Sequence, residues 1–147
     1  MVFAIVHYQT GAIDRMKNHG QIVSTTSQLY ARSRLHYHYA VSLTYHLVNS
    51  STLEDVQAIG LILQHKRAFP KPGNSWLMAR MAIAMSLDLG LHRSPNKFSA
   101  ECGLPAPNPV EAEVRKRVFW CILTLETSLA SKLGRPMSLR EGDFDVE

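Results

Sequence analysis

The sequence predicts an all-α protein, and three observations carry the prediction. Apolar residues recur at three- and four-residue spacing through long stretches. No segment shows a convincing alternation of apolar and polar residues, the mark of a half-buried strand. Prolines, glycines and capping residues fall between the periodic stretches, where helices must stop. The 147 residues are enough for one domain with a real core, and 46% hydrophobic with 19% charged residues is a globular balance.

The chain opens ambiguously. Val2 to His7 fits a helix end or a short strand, Gly11 and Gly20 interrupt the pattern, and an opening in mid-pattern fits a truncated N-terminus. A first clear helix is expected from about Thr25 to Val48, with Leu29, Leu35, Tyr39, Val41, Leu43, Leu47 and Val48 as its inward stripe. Asn49-Ser50-Ser51 stops it. The next helix starts with Ser51 as cap and Glu54 three residues on, a capping-box spacing. Its apolar arc, from Leu53 and Val56 to Leu61, Ile62 and Leu63, is broad, so little of it should be exposed.

Pro70-Lys71-Pro72-Gly73 breaks the chain, and Asn74 or Ser75 is placed to cap a helix from Trp76 to about Leu89. That helix is apolar nearly all round, which makes it central. Gly90 fits just past its end. Residues 91–107, with Pro95, Pro105 and Pro107, read as a flexible or variable loop. A last helix opens with Asn108 as cap, Pro109 in the first position and Glu111 in the first turn. Val114, Val118, Cys121 or Ile122, Leu125 and Leu129 repeat along it. Gly134 ends it and Pro136 prevents its continuation. The tail from Ser138 reads as acidic and irregular.

Bulk properties exclude several classes. A net charge of +4 permits acidic partners without identifying nucleic acid. Cys102 and Cys121 are too few for a disulfide framework or a zinc site of their own. The opening VFAIV is too short for a signal sequence, and no apolar run approaches the roughly 20 residues of a membrane helix. The chain reads as soluble and intracellular.

The candidate chemistry is thin. His36 and His38 would point about 200° apart on a helix, so they cannot share one ion. His38 and His46 would be two turns apart. No HExxH, CxxC, GxSxG, P-loop or GxGxxG pattern occurs. Glu54-Asp55 suits a helix N-terminus, where carboxylates offset the dipole. Arg115-Lys116-Arg117 precedes Val118-Phe119-Trp120, which should be buried, so the basic triplet reads as structural. Asp88 is a candidate partner of Arg117. His92-Arg93 fits helix-end carbonyls or an anion.

Four segments then occur in order: LEDVQAIGLIL (Leu53 to Leu63), LDLGLHRSP (Leu87 to Pro95), EAEVRKRVFWCILTLE (Glu111 to Glu126) and LGRPMSLREGDFDVE (Leu133 to Glu147). The set resembles the fungal-specific transcription factor domain, the regulatory middle homology region of Zn(II)2Cys6 factors. The match is good over 53–147 and weak over 1–52. The resemblance singles out Trp76, Asp88, Leu89, Gly90, Leu91, His92, Arg93, Arg115, Arg117, Phe119, Trp120, Gly134, Arg135 and Pro136 as structural motif positions. Glu126-Thr127 replace the usual aspartate and basic residue, and Ala130 stands where the family commonly has a serine.

By resemblance, the chain is an incomplete part of a larger helical regulatory array that regulates DNA-templated transcription in the nucleus. Its partners would be other parts of a transcription factor or co-regulators, with a small-molecule effector as one means of control. The family's six-cysteine cluster is missing here, so zinc and DNA binding would belong to a parent chain, and no cofactor, catalysis, membrane or sequence-specific DNA contact is expected of this one. The rival readings are a helical interaction scaffold and a non-functional truncated gene product.

Overall fold

The computed structural model describes residues 2–18, 24–66, 73–106 and 108–146. Among these residues the regular structure is all helix, without strands: α1 (Val2–Lys17), α2 (Ser24–Ser42), α3 (Thr44–Ser50), α4 (Leu53–Lys66), α5 (Gly73–Asp88), α6 (Pro95–Glu101) and α7 (Pro109–Leu133), then a 3-10 turn at Glu141–Asp143. The all-α expectation holds. The chain forms two compact units, residues 1–46 and 47–147.

The first unit pairs α1 with α2. The ambiguous opening is helix. Small and polar residues make the contact: the Ser33 hydroxyl donates to the Ala4 carbonyl at 2.7 Å, and the Thr26 hydroxyl donates to Asp14. Gly11 lies so near Tyr30 that an added Cβ would sit 3.0 Å from its ring. The inward stripe is therefore Thr26, Tyr30 and Ser33, and the expected Leu35 and Tyr39 are on the outside. Small residues win the inner face because they let the two backbones approach closely.

The single long helix expected over 25–48 is broken at Leu43. Its amide turns to the Ala40 carbonyl at 3.2 Å. The Ser42 hydroxyl donates to Tyr39 O and the Thr44 hydroxyl to Val41 O, each at 2.7 Å. Hydroxyls that bond to carbonyls a turn back compete with the helical ladder and bend it.

In the second unit α4, α5 and α7 pack against one another pairwise. Val56 and Ile59, then Ala82, Ile83 and Met85, then Phe119, Ile122 and Leu123 form the core, joined by Leu91, Leu139 and Val146. The cap of α4 lies one residue later than Ser51 and Glu54 suggested. Thr52 and Asp55 form the reciprocal box, Thr52 N–H donating to Asp55 Oδ2 at 2.9 Å and Asp55 N–H to Thr52 Oγ1 at 3.3 Å. Ser51 takes a φ of +47°, a turn residue rather than a cap. The Pro70-to-Pro72 break falls outside the described residues. α5 begins at Gly73, so Asn74 and Ser75 lie inside it.

The segment read as a loop contains α6, whose Pro95 and Ser99 are buried. The Asn108 side chain accepts from Val110 N–H at 2.9 Å and Pro109 opens α7, as expected. Gly134 closes α7 with a φ of +60°, its N–H on the Ala130 carbonyl. The tail is docked: Leu139 and Val146 are buried, and Asp145 N–H donates to the His92 carbonyl at 3.1 Å.

Candidate regulatory framework and apolar groove

The basic triplet divides its work between two faces of α7. Arg115 points back to the end of α5 and donates to the Leu89 carbonyl at 2.7 Å, its guanidinium 5.9 Å from the Phe98 ring centre. Phe98 lies over Gly90, whose φ of +66° is left-handed and where a Cβ would fall 2.6 Å from the ring. Leu91 is buried beside it. Residues 89–91 thus lock α5, α6 and α7 together.

Arg117 does not meet Asp88. It pairs instead with Glu113, one turn back on α7, at 2.7 Å in solvent. Asp88 faces the Ser51 hydroxyl at 3.4 Å. The spacing of 113 and 117 on one helix made the local pair the shorter route. The expected burial of Trp120 is also corrected. Phe119 is 0% exposed and Trp120 is 40% exposed, its ring crossing Phe144 at 5.5 Å and 87°. Adjacent helical residues point about 100° apart, so only one of the two can face the core squarely.

The central polar feature is Glu126, to which the sequence alone assigns no structural role. It is 0% exposed. Its Oε1 accepts from Ser138 N–H at 2.9 Å and from the Ser138 hydroxyl, and lies 3.4 Å from the Arg80 guanidinium. Arg80 in turn sits 5.2 Å from the Trp76 ring centre, and Arg135 sits 4.6 Å from it. One buried carboxylate therefore holds the segment after α7 against α5, while two guanidiniums stack on the α5 indole. Pro136, next to Arg135 in sequence, is exposed.

A second clasp holds the end of the tail. Asp145 accepts from Ser94 N–H at 2.8 Å and from Lys97 at 3.2 Å, with Arg93 at 3.7 Å. The Ser94 amide bond, then Lys97, holds its carboxyl below the ordinary carboxylate value. Arg93 also pairs with Glu101 at 2.9 Å, so its contacts are carboxylates rather than helix-end carbonyls. Burial, with Arg93 as neighbour, pushes His92 below the usual imidazole value.

Between α4 and α7 runs an open apolar groove of about 790 Å³. Leu61 lines it from α4, and Val118, Trp120, Cys121 and Leu125 from α7; Ile122 forms its floor under Gly60. The sequence reading expected little exposed surface on α4. The exposure of Leu61 corrects that. Among the described residues no three His, Cys, Asp or Glu side chains converge as metal ligands, and no helix is long and apolar enough to cross a membrane.

The fold and these clasps define a helical framework domain built around a docked C-terminal arm. Comparison with known proteins gives it a family. The model of the fungal specific transcription factor domain matches residues 11–147. The chain is 34% identical over 105 residues to ABC-transporter-regulating transcription factors of Aspergillus oryzae and Aspergillus fumigatus, 71% of this chain and 11% of each relative. It is 29% identical over 99 residues to the Activator of stress genes 1 of Saccharomyces cerevisiae, 67% of this chain and 10% of that protein. The chain belongs to the fungal specific transcription factor domain family, and its relatives are transcriptional regulators. It spans about a tenth of the length of these relatives. The family match begins at residue 11, well before the position where the sequence motifs become clear. No solved structure matches the chain.

Proposed function

We propose that this chain is part of the regulatory region of a longer fungal transcription factor acting in the nucleus, and that its α4–α7 groove receives a helix from elsewhere in that factor. Family membership carries the first half of this reading. The groove supports the second. Its lining includes 57, 60, 61 and 64 on α4 and 114, 117, 118, 121 and 125 on α7, with 120, 122 and 124 widening the α7 side. Such helical spacing on two neighbouring helices forms paired ridges into which a third helix fits. The relatives carry far more polypeptide from which such a helix could come. Reading of DNA, and the zinc that supports it, is assigned to a zinc cluster elsewhere in the parent factor, and no catalytic role is assigned to this chain.

The test is a reporter driven by the 147-residue chain fused to a heterologous DNA-binding domain. The fusion is expected to change transcription relative to the DNA-binding domain alone. Leu61→Glu, which puts a charge into the groove, is expected to cancel that change while the protein stays folded. The reading fails if the chain has no effect on output. It fails equally if the purified chain discriminates tightly between DNA sequences at raised salt.

A further inference from the structure

The first unit has its large apolar side chains on the wrong side for an isolated helical pair. The buried residues of the contact between α1 and α2 are Ala4, Gly11, Thr26 and Ser33, with Tyr8 and Tyr30 partly buried beside them. Leu35 and Tyr39 are each 69% exposed on α2. Positions 32, 35 and 39 follow one ridge of the helix, with 38 beside it, on the side away from Thr26 and Ser33. Arg32 is exposed on that ridge and His38 beside it, and Arg34 is exposed about 100° round the helix from Leu35. In residues 1–46 the one acidic side chain is Asp14, against Arg15, Lys17, Arg32 and Arg34. Asp14 is on α1 and is engaged by Thr26 and Asn18, away from the outer face of α2.

We infer that the outer face of α2, Leu35 and Tyr39 with Arg32 on their ridge and Arg34 at the flank, docks an acidic polypeptide segment that carries bulky apolar side chains. Charge decides among the occupants. A second copy would bring the same excess of basic groups to the contact and be repelled. A nucleic acid would satisfy the arginines but offers its phosphates nothing that matches Leu35. An anionic membrane takes helices with a wide apolar face, and two side chains on one ridge make a narrow one. An acidic segment with leucine or phenylalanine at helical spacing meets both features: its carboxylates reach the guanidiniums and its apolar side chains cover Leu35 and Tyr39.

The test uses the whole 147-residue chain and a labelled 15-residue peptide of Asp and Glu with Leu and Phe at helical spacing. Binding is expected, weakening as salt screens the arginines. The pair Arg32→Gln/Arg34→Gln and the pair Leu35→Ala/Tyr39→Ala should each lower affinity about tenfold, a modest free-energy change. All four side chains are exposed, so helical circular dichroism should not change and lost binding reports the surface. The inference is overturned if the peptide with Ser in place of Leu and Phe binds as tightly. It is overturned as well if neither pair of substitutions alters binding. Tighter binding of phosphatidylserine vesicles or duplex DNA than of the peptide, or self-association through this face in sedimentation, would also end it. Failure here leaves the reporter result for the α4–α7 groove untouched.

Discussion

Phe119 and Trp120 are neighbours in sequence with different weights in the fold. Phe119 fills the core among α4, α5 and α7, whereas Trp120 leans over the docked tail and crosses Phe144. Phe119→Ala should cost about 3–5 kcal/mol in urea unfolding, the range for a large buried aromatic. Trp120→Ala should cost about 1–2 kcal/mol, its share of a half-covered surface and one aromatic pair. A larger loss at Trp120 than at Phe119 would reverse the assignment. The residue sequence reading missed is Glu126, and its signal was present. It falls on the stripe formed by Phe119, Ile122, Leu123, Leu129 and Ala130, where a carboxylate is out of place unless something bonds it. The partners, Ser138 and Arg80, were not legible, because they arrive from a segment read as irregular and from a different helix.

At the scale of elements, α7 was the most legible. Asn108, Pro109 and Gly134 state its ends by chemistry that acts within a few residues. The break between α2 and α3 was not, since Ser42 and Thr44 are compatible with a helix interior until their hydroxyls turn back on it. Helix-to-helix spacing was also hidden in the sequence. Gly60 in α4 reads as a weak point in a helix, yet a Cβ there would come within 2.9 Å of Ile122 Cδ1. The glycine lets α4 and α7 close on each other. Gly60→Ala should gain helix propensity of about 0.5–1 kcal/mol and lose part of it as the Ile122 terminal methyl is pushed aside, for a net change smaller than the propensity alone. Ile122→Val removes the clashing atom. In a double-mutant cycle the pair should therefore be more stable than the sum of the single changes. Additivity would mean that the two helices are not in contact at this point.

Over the whole molecule, the most direct handle on stability is pH, and it acts through groups of the second unit. Burial holds His65 below the ordinary imidazole value, and burial does the same for His92 with Arg93 adding to it. The hydroxyls of Ser50 and Thr52 hold Asp55 below the ordinary carboxylate value, and Ser94 N–H leads the same effect at Asp145. In all four the folded form resists the proton more than the unfolded chain does, so falling pH favours unfolding. The two kinds act in separate windows. The histidines contribute fully above 6.5, their unfolded value, and their contribution is lost as pH falls from there toward the lower folded values. The carboxylates begin to lose theirs only below 3.8. Urea midpoints should thus fall as pH drops below 6.5, flatten once the histidines are protonated in both states, and fall again below 3.8. His65→Leu should reduce the first decline and leave the second, whereas Asp145→Asn should reduce the second and, by removing a charge that favours the His92 imidazolium, deepen the first. A wild-type stability that is level from pH 7 to 5, or that rises on acidification, would contradict burial of a neutral His65. An unchanged first decline in the leucine variant would assign that decline to His92, which is tied by its carbonyl to Asp145 and would then report release of the C-terminal arm.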